Sequence, residues 1–243
     1  VFGGAKDIGA YESQTVLDGT GPPITKLYVD IDATGSGSGG DWTNAMNQLS
    51  VALTYARSCG ADTICVAEGV YMPMDSMDYI PSDSRNKSFT LIDGLVLLGG
   101  FDPDSGISNL GDRDWKLYPA ILQGDLMGND TTHLTDIYDM DDADDRQDNV
   151  RHVISQICAP VSNTTLIDGF YIEGGNAEGD GFEEENGGGM FLIGSRPLIR
   201  NCHFRYNAAD DEGGGLYADN GCSLDLKHVY FSYNYSDDDG GGI

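Results

Sequence analysis

Positive charge is scarce in this chain of 243 residues, where 13 Lys and Arg stand against 40 Asp and Glu for a formal net charge of −27. A phosphate backbone would be repelled, so nucleic acid is excluded as a partner, and an anionic membrane face is disfavoured for the same reason. Long apolar runs are missing as well. Leu95 to Leu98 has the length of a core strand and falls far short of the roughly 18 residues of a membrane span, so no membrane insertion is expected. The five cysteines contain no Cys-x-x-Cys pair, which argues against zinc and thioredoxin-like redox sites. Cys202 reads as a buried apolar filler, Cys59 and Cys65 flank a turn that a disulfide could close, and a Cys158–Cys222 pair would depend on the fold. His133, His152, His203 and His228 are scattered without ligand spacing.

Glycine, by contrast, is abundant at 34 residues, and its placement is periodic. Three acidic clusters each precede a triple glycine: Glu184-Glu185-Asn186 before Gly187, Asp210-Asp211-Glu212 before Gly213, and Asp237-Asp238-Asp239 before Gly240. Between them, Phe204-Arg205-Tyr206-Asn207 and Phe231-Ser232-Tyr233-Asn234 are offset by 231 − 204 = 27 residues. A period of about 20 to 50 residues marks a repeat protein whose units bury their apolar sides by stacking. Thr90-Leu91-Ile92-Asp93-Gly94 recurs as Thr165-Leu166-Ile167-Asp168-Gly169. Four apolar triplets then align: Ile92/Leu95/Leu97, Ile167/Phe170/Ile172, Ile199/Cys202/Phe204 and Leu226/Val229/Phe231. Their spacing suits a short bent strand, and the links are too short for a crossover helix, so the copies are expected to stack in parallel as coils of an all-β solenoid. Gly and Asx residues supply the corners.

The alternation of Gly187 to Met190, Phe204 to Asn207, Gly213 to Leu216, Phe231 to Asn234 and Gly240 to Ile243 resembles the repeat of polymorphic outer membrane proteins, within the pectate-lyase-like group of surface proteins. The third glycine stands where that repeat usually has alanine, read here as a minor change. The resemblance implies a right-handed parallel β-helix. It specifies function poorly, because such scaffolds carry lyases, adhesins and inert stalks.

Residues 1–14 look like the tail of a preceding module, 15–26 like a linker, and 27–243 like the β-helix, left open at Ile243. The ends are therefore expected to belong to a longer parent. From Asp41 as N-cap, Trp42, Ala45, Leu49, Leu53 and Ala56 form one helical stripe, predicting a helix that caps the first coil. Asp75 to Lys87 and Asp139 to Asn149 read as long loops.

Chemistry is thin on this scaffold. A lyase needs a cation against the uronate carboxylate and a base for the α-proton, and Arg200 with Lys227 is the best available pair. Its plainer reading is a solvated cationic rung. Tyr206 with Tyr233, and Phe191 with Tyr217, would form aromatic ladders that either pack along a corner or stack on sugar rings. Stacked coils would place Glu184, Glu185, Asp210, Asp211, Glu212, Asp237, Asp238 and Asp239 in a column. Such a column either recruits calcium, the hard cation suited to oxygen ligands on glycine-flanked loops, or simply keeps the protein soluble. The Asp139/Asp141/Asp142/Asp144/Asp145 loop is a second candidate. Four sequons begin at Asn86, Asn129, Asn163 and Asn234. Together these features point to a secreted or cell-surface stalk or adhesive module, not an enzyme, with glycans or another surface protein as partner. A polysaccharide lyase or hydrolase and a fibre subunit with end-to-end self-association are the alternatives.

Overall fold

Short β-branched and aromatic stretches cut by Gly and Asx corners become strands of two to six residues. The computed structural model describes residues 25–74, 83–131, 144–157 and 159–243. The sequence readings for residues 1–14, most of 15–26, and Asp139, Asp141 and Asp142 lie outside the described residues. In chain order the first strands are β1 (Lys26–Val29), β2 (Thr63–Ala67), β3 (Gly69–Tyr71), β4 (Phe89–Thr90), β5 (Val96–Phe101) and β6 (Ala120–Gln123). Next come β7 (Ile154–Gln156), β8 (Leu166–Asp168), β9 (Phe170–Glu173), β10 (Asn176–Ala177), β11 (Met190–Ile193) and β12 (Leu198–Arg200). The last are β13 (His203–Arg205), β14 (Ala208–Ala209), β15 (Leu216–Asp219), β16 (Asp225–Lys227), β17 (Tyr230–Ser232) and β18 (Tyr235–Ser236). Among the described residues two α-helices, α1 (Leu49–Cys59) and α2 (Phe182–Glu185), and short 3-10 turns complete an all-β architecture.

The strands form four separate sheets, ordered β1-β2-β5-β8-β12-β16, β17-β13-β9-β6-β3, β15-β11-β7-β4 and β10-β14-β18, and paired strands run parallel. Register follows the repeat. Leu97, Ile167, Ile199 and Leu226 lie side by side across the six-stranded sheet, and Leu122, Ile172, Phe204 and Phe231 across the five-stranded one. Most of these side chains are fully buried in one apolar cluster, with Leu226 and Phe231 partly buried against it. The Phe204 and Phe231 rings stack with centroids 5.0 Å apart.

Three of the four predicted triplets hold this register. The first does not: Leu97 pairs with Ile167 instead of matching Ile172. The Thr-Leu-Ile-Asp-Gly match is a likeness of residue type that ends each time on a positive-φ glycine, Gly94 and Gly169, but Leu166–Asp168 is strand β8 whereas Leu91 and Ile92 lie in no strand. Thr90, however, belongs to β4 at the edge of the four-stranded sheet, whereas Ile167 is central in β8.

The triple glycine is more constrained than its sequence suggests. Gly187, Gly213 and Gly240 take φ of 77°, 65° and 67°. A Cβ on Gly188 would lie 2.1 Å from the Ala208 carbonyl oxygen, and one on Gly189 2.3 Å from that of Gly215. Alanine at the third position is therefore not a minor change, because the next repeat occupies its space.

The predicted helix is shorter than expected. It begins at Leu49, and Asp41 instead accepts from the Asn44 backbone N–H at 2.8 Å, closing a tight local turn before it. Leu49, Leu53 and Ala56 bury as predicted, while Trp42 packs between Tyr28 and Phe101.

Candidate functional site

Alternation along β9, β13 and β17 sends Phe170, Ile172 and Phe204 inward and leaves Tyr171, His203 and Tyr230 on the outer face as a register column. A second outer column is Glu173, Arg205 and Ser232. A loop folds over this face. Gly100, at φ 90°, lets it approach, since a Cβ there would lie 2.8 Å from Trp115 N. Arg113 fastens the loop through a 2.8 Å ion pair with Asp168 and a 3.0 Å bond to the Gly99 carbonyl.

Trp115 then lies 5.5 Å from the Tyr171 ring and 6.1 Å from Tyr230. Lys116 Nζ sits 5.2 Å from the Trp115 ring centre and 5.0 Å from that of Tyr230, while the Arg205 guanidinium is 4.7 Å from Tyr171 and pairs with Glu173. His203 bonds Ser232 Oγ at 2.7 Å. Desolvation, followed by the charges of Arg205 and Lys116, holds its imidazole below the usual range, so it is neutral at neutral pH. At the adjoining corner Tyr206 and Tyr233 stack at 5.3 Å, with Tyr233 well exposed. The result is a strip of four tyrosines and a tryptophan interleaved with two cations, in which Tyr230 and Tyr233 are exposed and Trp115, Tyr171 and Tyr206 half-buried.

Of this strip, sequence reading had only Tyr206 and Tyr233. Tyr171, His203 and Tyr230 each precede the last residue of an apolar triplet, and that offset is the signal that could have found them. Trp115 and Lys116 reach the face through a loop that no repeat predicts.

The acidic residues stack through their backbones. Asp211 N–H donates to Glu185 O at 2.9 Å, Asp238 N–H to Asp211 O at 3.2 Å, and Glu212 bridges Asp239 in parallel. Glu184, at the head of the column, instead faces Arg151 at 3.7 Å, and Asp210 accepts from Gly179 N–H. Among the described residues, no three His, Cys, Asp or Glu side chains form a group that could hold a metal ion. Arg200 and Lys227 are register neighbours, with Asp168 next in the same column. Phe191 and Tyr217 stack at 5.4 Å under Phe182. Among the described residues Cys59, Cys65, Cys202 and Cys222 are free thiols, while Cys158, and with it the Cys158–Cys222 pairing, lies outside them; burial pushes Cys65 up to about 11 and Cys202 up to about 12.

Arg146 and His152 are among the buried polar residues that the sequence reading did not foresee. Arg146 is fully buried, paired with Asp130 at 2.7 Å and donating to the carbonyls of Gly175 and Tyr206. His152 lies against Phe191, its ring nitrogens facing the carbonyl oxygens of Gly187 at 3.0 Å and Glu183 at 2.6 Å. Burial keeps it neutral with a single N–H, so only one of those contacts carries a proton. Set against protein-family models, curated proteins and solved structures, the chain shows no significant match.

Proposed function

We propose that the four sheets are faces of one right-handed parallel β-helix, capped by α1, that serves outside the cell or at its surface as a stalk with an adhesive face. In this reading it is not a catalyst. The observation that supports it is the Trp115/Tyr171/Tyr230 strip. Tyr230 is exposed and Trp115 and Tyr171 are half-buried beside it, so the strip offers an aromatic edge to the C–H faces of sugars, and Lys116 and Arg205 supply charged donors next to it. A glycan is therefore the proposed ligand of this face. The acidic column is its proposed calcium-binding element, tying one repeat to the next.

A glycan array probed with wild type and with Trp115→Ala/Tyr230→Ala tests the reading. Saturable binding that the double variant loses while keeping the wild-type melting temperature is expected; equal retention by both chains overturns it. The lyase alternative is tested by incubation with polygalacturonate, alginate and chondroitin plus calcium. No unsaturated product absorbing in the ultraviolet is expected, and turnover abolished by Arg200→Ala or Lys227→Ala would make the chain an enzyme.

A further inference from the structure

The loop that carries Trp115 leaves β5 after Phe101 and enters β6 at Ala120, yet it does not stay within that coil. Lys116 Nζ lies 5.0 Å from the centre of the Tyr230 ring, and Tyr230 belongs to β17, three strands from β6 in the order β17-β13-β9-β6-β3. At the spacing of neighbouring strands that is a run of about 14 Å along the stack. The loop is a strap laid across the coils.

Its tip is bonded to itself. Asp114 Oδ1 accepts from the backbone N–H groups of Lys116 at 2.9 Å and Leu117 at 3.2 Å, and the Asp114 carbonyl accepts from Tyr118 N–H at 2.8 Å. Trp115 and Lys116 are thereby fixed to Asp114 as one turn. The bonds that join this turn to the sheets lie just before it. Asp114 N–H donates to Gly100 O at 2.9 Å, and Arg113 Nη1 donates to Gly99 O at 3.0 Å and to Asp168 O at 3.3 Å while Nη2 pairs with the Asp168 carboxylate at 2.8 Å.

The surface beneath leaves room for both side chains. Gly169 has φ 93°, and a Cβ on it would lie 3.0 Å from Arg113 Nη1 and 3.2 Å from Trp115 Cβ, so the two close over the space a side chain there would fill. Asp168 is itself oriented, with its side chain 10% exposed and Oδ1 accepting from Asn201 Nδ2 at 2.9 Å. A guanidinium meeting a sheltered, oriented carboxylate is a directional contact, unlike the loosely held pairs of an open surface.

We infer that Arg113 and Asp168 are positioning residues for the glycan face: their ion pair docks the strap, and docking brings Trp115 and Lys116 onto the Tyr171 and Tyr230 column. The ligand rests on the glycan reading above, whereas the docking does not. The effect of the pair reaches the ligand through Trp115.

Trp42→Phe leaves Trp115 as the one tryptophan, so acrylamide quenching of its emission reports docking without ligand. In that background Arg113→Gln/Asp168→Asn removes both charges together and leaves neither buried alone. Emission is expected to shift to the red and quenching to rise at least twofold with far-ultraviolet circular dichroism unchanged, and affinity for an oligosaccharide retained on the array should fall at least tenfold. Arg113→Lys, which keeps the charge and loses the fork, should lie between the two chains. Asp168→Asn alone leaves an acceptor for Asn201 and serves if the double variant fails to fold. Quenching equal to that of the Trp42→Phe parent overturns the inference whatever the array shows. Exposed Trp115 with undiminished affinity overturns it too, and would leave the ion pair as a staple between coils. Retention of no oligosaccharide by wild type sinks the glycan reading alone, and quenching in the absence of ligand then decides the docking.

Discussion

Asn207 donates through Nδ2 to Oδ1 of Asn234 at 3.0 Å, joining the same corner in consecutive repeats. Each amide is also used by the backbone: Asn207 Nδ2 reaches Ile172 O, Asn234 Nδ2 reaches Phe204 O, and Asn207 Oδ1 accepts from Gly175 N–H at 3.0 Å. Removing the fully buried Asn207 would orphan several polar groups at once. Asn207→Ala is expected to lose about 2 to 4 kcal/mol in urea unfolding, and the more exposed Asn234→Ala less than half of that. Equal losses would contradict the ladder. Because the Asn234 amide is committed to this network, the sequon there should stay unmodified in a glycosylating host, whereas Asn86, on an exposed turn, is open to modification.

Phe204 and Phe231 test how burial scales along the stack. The Phe204 ring is fully buried and Phe231 only partly. Phe204→Ala should therefore cost about 3 to 5 kcal/mol and Phe231→Ala about half as much. Denaturant midpoints of the two variants at unchanged slope provide the comparison. A larger loss at Phe231 would place the core elsewhere.

Asp130 sets a pH dependence. Burial raises its carboxyl from 3.8 to about 6, against the lowering effects of Arg146 and Asn149. The folded chain thus holds a proton between about pH 6 and 4 that the unfolded chain has released, so this contribution strengthens on acidification and is lost as pH rises through 6. Relative to Asp130→Asn, wild type should gain at most about 3 kcal/mol between pH 7 and pH 4. A difference that does not vary with pH would contradict the assignment.

Corner strain offers a stabilising change. His228 and Asn201 occupy the same corner 27 residues apart with φ of 55° and 50°, and His228 is exposed. Asparagine tolerates this left-handed region better than histidine, so His228→Asn should gain about 0.5 kcal/mol, read as a rise in melting temperature. A fall would mean that the ring makes a contact worth more than the strain.

Calcium should act through the acidic column. Melting temperature is expected to rise in millimolar calcium relative to chelator for wild type, and not for Asp211→Asn/Asp238→Asn. Identical melts in all four conditions would leave the column as exposed acid only.

Much of this architecture was legible because the repeat writes itself at fixed offsets. Ile199 over Leu226, Phe204 over Phe231 and Tyr206 over Tyr233 all follow from 27 residues of spacing. The same logic misled at Thr90 to Gly94, where a five-residue match shared its closing glycine with the second copy and neither the strand nor the register. It also had no access to contacts made by loops. Trp115 reaches Tyr171 across 56 residues (171 − 115), and Arg146 reaches the Tyr206 carbonyl across 60. Neither separation is a repeat period. His152 was unreadable for another reason: its partners are backbone carbonyls, which leave no mark on residue type.

Trp115 is itself a reporter of the face on which the account turns. The chain has only two tryptophans, so Trp42→Phe isolates its emission. Titrating that variant with an oligosaccharide retained on the array should shift Trp115 fluorescence saturably, with the midpoint matching the calorimetric Kd and the shift absent in Trp42→Phe/Tyr230→Ala. Calorimetric binding of the same oligosaccharide with Trp115 emission unchanged would contradict the proposed adhesive face.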